Sequence, residues 1–382
     1  MKKSGIKNNI VPLLLASLFF SFSCVAQNSK SIVIENRSQF NFTDKIIAVP
    51  WQQVLDKVPS IDTSNLKIVD ALTKKEISYQ LEYAGNTTIQ NLLVQVSIRP
   101  TSSIKLLLQR GRHSLFVIKA FGRFVPERKD DFAWENDRVA FRMYGKALEL
   151  TPKENAYGID VWVKRTSRMI VNERYKQVEY HVDHGDGLDY YHVGLTLGAG
   201  NCMPYVNDSI YYSKNFAGWK ILDNGPLRTT FQLSYDAWNV NGKQVTAVKT
   251  ISLDAGVQLN KISVEYNYTD TGNLPLVIGI IKRPEAGVEL LNEQKGILAY
   301  WEPKHGADGT TGVACIIPAP VKNMQVNKNQ LLAFSEMKKN MPFVYYAGAV
   351  WDKAGRIKNE QEWFAYLQLL QQQLSNEAIV VK

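Results

Sequence analysis

Cysteine is scarce in this sequence. Cys24, Cys202 and Cys315 are the only three in 382 residues. They are too few for a disulfide framework, and their spacing matches no zinc knuckle or thioredoxin motif, which excludes redox and structural-zinc classes. Other signatures are missing as well. No glycine-rich phosphate loop follows a strand pattern, and there is neither a Gly-x-Ser-x-Gly elbow nor a His-Glu-x-x-His helix. Beyond the N-terminus no apolar run is long enough for a membrane helix. Acidic residues are in deficit, 36 against 45 Lys and Arg, giving a net charge of +9 and favouring an anionic partner. The basic residues are dispersed, so no phosphate-tracking surface for nucleic acid is expected.

What the sequence does have begins with an address. Residues 1–26 carry Lys2, Lys3 and Lys7 ahead of an apolar run from Ile10 to Phe22, the pattern of a signal peptide. Small residues before Gln27 suit cleavage after Ala26, with lipid attachment at Cys24 as the rival route. Either implies a protein of the periplasm or the medium, and loss of the three lysines would lower +9 to +6. At 45% apolar and 11% aromatic, the remainder can bury a large core.

The pattern beyond the leader is all-β with little helix. Short alternating runs at Ser31–Glu35, Leu66–Asp70, Leu93–Ile98 and Ser114–Ile118 predict strands of a small β-sandwich over residues 27–119. Only Trp51–Val58, stopped by Pro59, has helical character there. Residues 120–382 continue in longer strands. Phe231–Val240, Asn241-Gly242 and Val245–Leu253 read as a hairpin with its type I′ turn, and Lys261–Tyr268 alternates throughout. Near the end, Trp363, Tyr366, Leu367, Leu370 and Leu374 share one face of a helix over residues 359–374.

Three stretches carry candidate chemistry. His181, His184 and His192 cluster with Tyr190, Tyr191 and several aspartates around Gly185 and Gly187, a set able to move protons near neutral pH. The same residues also fit a metal site built on His181 and Asp183, or a hydrogen-bonded sheet with a glycine bulge. Arg138 and Arg142, both even-numbered, would share one face of a strand and could clamp a carboxylate or sulfate; equally, they could pair with neighbouring acids. The third stretch is aromatic: Trp134, Trp162, Trp301 beside Lys304-His305-Gly306, and Tyr345-Tyr346 before Trp351 could stack on sugar rings or fill a core.

Gly122-Arg123-Phe124-Val125-Pro126-Glu127-Arg128, Asp131-Phe132-Ala133-Trp134-Glu135-Asn136-Asp137-Arg138, Gly158-Ile159-Asp160-Val161-Trp162, His184-Gly185-Asp186-Gly187-Leu188-Asp189 with Tyr191, and Asn224-Gly225-Pro226-Leu227-Arg228 resemble an uncharacterised-domain family of exported proteins. Its genes lie in polysaccharide-utilisation clusters of Gram-negative bacteria. The resemblance spans most of the chain beyond the leader. The family includes an ulvan oligosaccharide dehydratase, which removes water from a terminal uronic acid to leave a 4,5-unsaturated sugar. One departure is His192, where the family usually carries lysine.

The resemblance implies a large antiparallel β-sandwich of galactose-mutarotase or polysaccharide-lyase type, here preceded by the small one, and an acidic oligosaccharide as partner. Elimination needs a carboxylate neutraliser, a base and an acid. Arg138 with Arg142 is expected as the clamp, His184 as base and Tyr191 as acid, the last two being exchangeable. Trp134, His192, Lys304 and His305 are expected near substrate. No cofactor is implied, and a divalent cation such as calcium in the neutralising role stays open. A glycosidase using two of Glu135, Asp137, Asp186 and Asp189, and a non-catalytic carbohydrate-binding protein, are the alternatives.

Overall fold

The computed structural model describes residue 1 and residues 30–176, 179–376 and 378–382. The expected leader, with Cys24, lies outside the described residues apart from Met1. Within them the chain is antiparallel β with few helices, as expected.

Alternating Ile32 and Ile34 drive the strand Ser31–Asn36 into the first core. It pairs with Ser102–Arg110, which pairs with Leu66–Asp70. A three-stranded sheet of Phe42–Pro50, Asn91–Ile98 and Tyr79–Glu82 packs opposite. The helix Trp51–Lys57 closes this core with Val54. The expected strand at Ser114–Ile118 does not form. That segment is an extended connector leaving Leu115, Val117 and Ile118 exposed, because no neighbouring strand lies beside it to pair with. The division at residue 119 also has an exception: Ile379–Val381 returns to pair with Ser31–Asn36.

The larger part is built on an eight-stranded sheet, in the order Gly218–Asn224, Arg228–Val240, Lys243–Asp254, Leu259–Tyr268, Phe343–Trp351, Thr311–Ile316, Ile297–Trp301 and Val288–Asn292. Its long hairpin turns at Asn241-Gly242, both with positive φ, as the type I′ signal requires. One face packs on two five-stranded sheets in a continuous core that includes Phe231, Tyr345, Phe132 and Ile278. The other face is covered by the helix Glu360–Ser375, which starts on the Asn359 side chain and buries Trp363 and Leu367 against Ile297, Ala314 and Val350. Among the described residues no helix is long and apolar enough to cross a membrane.

One five-stranded sheet positions the candidate site. It runs Gly187–Leu188, Asp160–Lys164, Val139–Met143, Asp131–Asn136 and Ala120–Val125.

Candidate active site

A cleft of about 590 Å³ opens at the end of this sheet, lined by Arg128, Asp131, Arg142, Tyr144, residues 152–156, His181 and residues 189–195. Sheet register builds its floor. Antiparallel pairing sets Arg142 opposite Asp160, and the guanidinium donates to Asp160 Oδ2 through Nε at 2.9 Å and Nη2 at 2.5 Å. Nη2 also donates to Asp189 Oδ2 at 3.0 Å, and Nη1 stands 3.5 Å from Asp131 Oδ2. Tyr144 donates its hydroxyl to Asp160 at 2.8 Å. Three buried carboxyl groups thus share one guanidinium. Burial pushes Asp131 up to about 7, against the pull of Arg142 and Arg128. Burial, followed by the charge of Asp160, pushes Asp189 up to about 8. This floor therefore holds protons at neutral pH.

The wall comes from the segment after Glu179. Tyr180 stacks on Trp162 at 5.4 Å, and the Asp189 N–H donates to the Tyr180 oxygen at 3.1 Å. Gly187, at φ +127°, approaches Val163 too closely for any side chain. Arg165 pairs with Asp183, whose carboxylate also accepts the Gly185 and Gly187 N–H groups. Asp183 is thereby occupied in shaping the turn, which removes it from the metal set weighed with His181. Nor is the cluster a sheet with a glycine bulge; it is a run of turns leading into Gly187–Leu188.

Around the cleft stand the groups able to meet a ligand. His181 Nδ1 lies 2.6 Å from the Asp189 main-chain oxygen. Arg128 is half-buried, donating from Nε to the Tyr180 hydroxyl at 3.1 Å, with Glu154 at 3.5 Å from its Nη1. Lys153 and His192 are exposed on the rim. Tyr191 is 3% exposed, and its hydroxyl has no hydrogen-bond partner among the described residues. Burial, then the charge of Glu302, raises that phenol well above its ordinary value, so it keeps its proton at neutral pH. Tyr190 donates to or accepts from Thr311 Oγ1 at 2.5 Å and stacks on His305 at 5.0 Å.

Of the residues expected from sequence, Tyr191, His192 and Arg142 line the cleft, and His305 borders it through Tyr190, with exposed Lys304 beside it. Four expectations are corrected. Arg138 does not share a strand face with Arg142: Asp137 and Arg138 form the turn, the strand starting at Val139, and Arg138 Nε sits 3.6 Å from Asp137. Arg142 is no open clamp, because carboxyl groups already surround its guanidinium. His184 does not line the cleft; it is exposed, with Nε2 3.2 Å from the Glu179 oxygen. Trp134 is fully buried, donating to Asn260 Oδ1 at 2.7 Å, and serves the core. Sequence reasoning missed Arg128, Lys153 and Asp131, and considered His181 only as a member of the histidine cluster or as a metal ligand. Arg128 stood inside the first motif quoted for the resemblance, which was the available signal.

A protein of Formosa agariphila described as uncharacterized protein P7 is 31% identical over 332 residues, covering 81% of this chain and 83% of its own. Among solved structures, a glycosyl hydrolase family 38 protein from Enterococcus faecalis shares the fold with a TM-score of 0.50 at 9% identity over 94% of this chain. An α-mannosidase from the same organism gives 0.49 at 9% identity over 93%. The chain spans about half the length of these two, 48% and 46%. The likeness shows a β-sandwich architecture found in carbohydrate-processing enzymes. Residues 34–380 match the model of a domain of unknown function, DUF4861, and the chain belongs to that family.

Proposed function

We propose that the protein is a carbon–oxygen lyase acting on acidic oligosaccharides, a dehydratase that removes water from a terminal uronic acid and leaves a 4,5-unsaturated sugar. The observation that carries this reading is the buried hydroxyl of Tyr191, without a hydrogen-bond partner among the described residues, in the same cleft as His181, His192 and Arg128. Arg128, with Lys153, takes the uronate carboxylate and so stabilises charge developing at C5. An imidazole, His181 or His192, accepts the C5 proton; the freed electron pair becomes the C4–C5 double bond as the C4–O bond breaks. Tyr191 gives its proton to the departing oxygen, which leaves as water, and the imidazolium returns a proton to the phenolate. His181 replaces His184 in this scheme because it lines the cleft. The apolar leader of the sequence fits an enzyme acting outside the cytoplasm.

A glycosidase is the second reading, favoured by the protons held on Asp131 and Asp189. Mass spectrometry of products from uronate-terminated oligosaccharides separates the two. Loss of one water with chain length preserved is expected; chain cleavage with gain of water would select the glycosidase.

A further inference from the structure

Behind the cleft wall, outside its lining, lies a charged pair that the scheme above does not use. Arg283 follows the strand Leu274–Ile281, and Glu302 follows Ile297–Trp301. Arg283 Nε donates to Glu302 Oε1 at 2.7 Å, and Nη1 donates to the main-chain oxygen of His192 at 2.7 Å. The centre of the guanidinium stands 4.6 Å from the centroid of the Tyr191 ring. Glu302 is itself buried and tied into the sheet, its N–H donating to the Thr311 oxygen at 3.0 Å.

Each contact constrains a different feature of the site. A guanidinium over an aromatic face fixes the plane of that ring. Here the ring is the one whose hydroxyl has no hydrogen-bond partner among the described residues, so none of them sets the direction in which it points. The bond to the His192 carbonyl fixes the main chain between the two cleft residues. The Glu302 carboxyl holds the fork in place, since a charged side chain in such surroundings needs a partner and a defined geometry.

We infer that Arg283, anchored by Glu302, is a positioning residue that orients the Tyr191 phenol and the His192 segment toward substrate. The activity arm of this inference rests on the lyase reading; the geometric arm does not. Reacting groups displaced by about 1 Å lose rate by roughly 10²-fold, so that loss is expected where the ring is freed.

Arg283→Met leaves the Glu302 carboxyl buried without its partner, so the double variant Arg283→Met/Glu302→Gln is made beside it to preserve folding. Both are produced with 3-fluorotyrosine, and the Tyr191 resonance is identified by its absence in Tyr191→Phe. The expected result is a shifted Tyr191 resonance together with kcat lowered by about 10²-fold and KM unchanged. An unshifted resonance in a folded variant overturns the inference, as does a rise in KM with kcat intact. A shifted resonance combined with no water loss from any uronate by the unaltered protein sinks the lyase reading and leaves the Arg283–Tyr191 arrangement standing.

Discussion

His181 Nδ1 lies 2.6 Å from the main-chain oxygen of Asp189, and that contact decides which imidazole nitrogen is basic. A carbonyl only accepts, so Nδ1 carries the hydrogen and the lone pair falls to Nε2. The neutral ring is thereby held as one tautomer at the cleft wall. His184 bonds to a carbonyl too, through Nε2, but outside the cleft. His181→Ala is therefore expected to slow water loss from uronate oligosaccharides by about 10²–10⁴-fold, the usual range for a lost general base. His184→Ala should leave the rate within a few-fold of the parent. Steady-state rates of the two variants decide between these two histidines: the reverse order would return the role to His184, and no loss in either variant would assign it to His192.

Tyr191→Phe separates function from stability. The hydroxyl is buried without a partner among the described residues, and such a group costs about 1–3 kcal/mol of desolvation. Removing it should abolish water loss yet leave the folded state as stable as before, or more stable by up to about 1 kcal/mol. Denaturant unfolding of the variant measures this. A loss of more than about 1 kcal/mol would mean that the hydroxyl has a partner and is structural.

The sequence made local features legible and long-range ones opaque. The hairpin over residues 228–254 was readable because Asn241-Gly242 and the alternation on either side lie within one stretch. The last helix was readable from its 3.6-residue period, with its cap at Asn359. Alternation misled at Ser114–Ile118, since it reports which residues are apolar and says nothing of whether a partner strand lies alongside. Parity misled at Arg138 and Arg142 for a related reason: odd and even residues take opposite faces only within a strand, and Arg138 belongs to the turn. The gathering of Asp131, Asp160 and Asp189 on Arg142 depends on sheet register between residues up to 47 apart, which no local pattern encodes. His184 drew attention through the glycines that follow it, whereas His181 acquires its place from the fold of the wall.

Arg142 should matter more for folding than for binding. Its guanidinium is buried, and Arg142→Met would leave Asp160 without the cation it pairs with, and Asp131 and Asp189 with only the more distant charge of Arg128. Breaking a buried pair by removing one partner costs about 3–5 kcal/mol. Chemical denaturation should show a loss of that size. Arg128→Met, by contrast, removes a half-buried cleft residue and should raise KM for uronate substrates with a loss of less than about 1 kcal/mol in stability.

The same cluster predicts how stability varies with pH. A carboxyl that titrates at 3.8 in the unfolded chain is lifted to about 8 at Asp189, so the folded chain keeps a proton that the unfolded chain has released. Between these values the native state binds more protons, and rising pH favours unfolding. The contribution is full below about pH 4 and is lost as pH climbs through about 8. Asp131 acts with the same sign up to about 7. Each group contributes a slope of at most about 1.4 kcal/mol per pH unit. Asp189→Asn stays neutral throughout and can still accept from Arg142 through its amide oxygen. Its urea midpoint should therefore fall less steeply than that of the parent from weakly acidic to weakly alkaline pH. Parallel curves for the two proteins would show that Asp189 is ionised in the fold, with Arg142 outweighing burial.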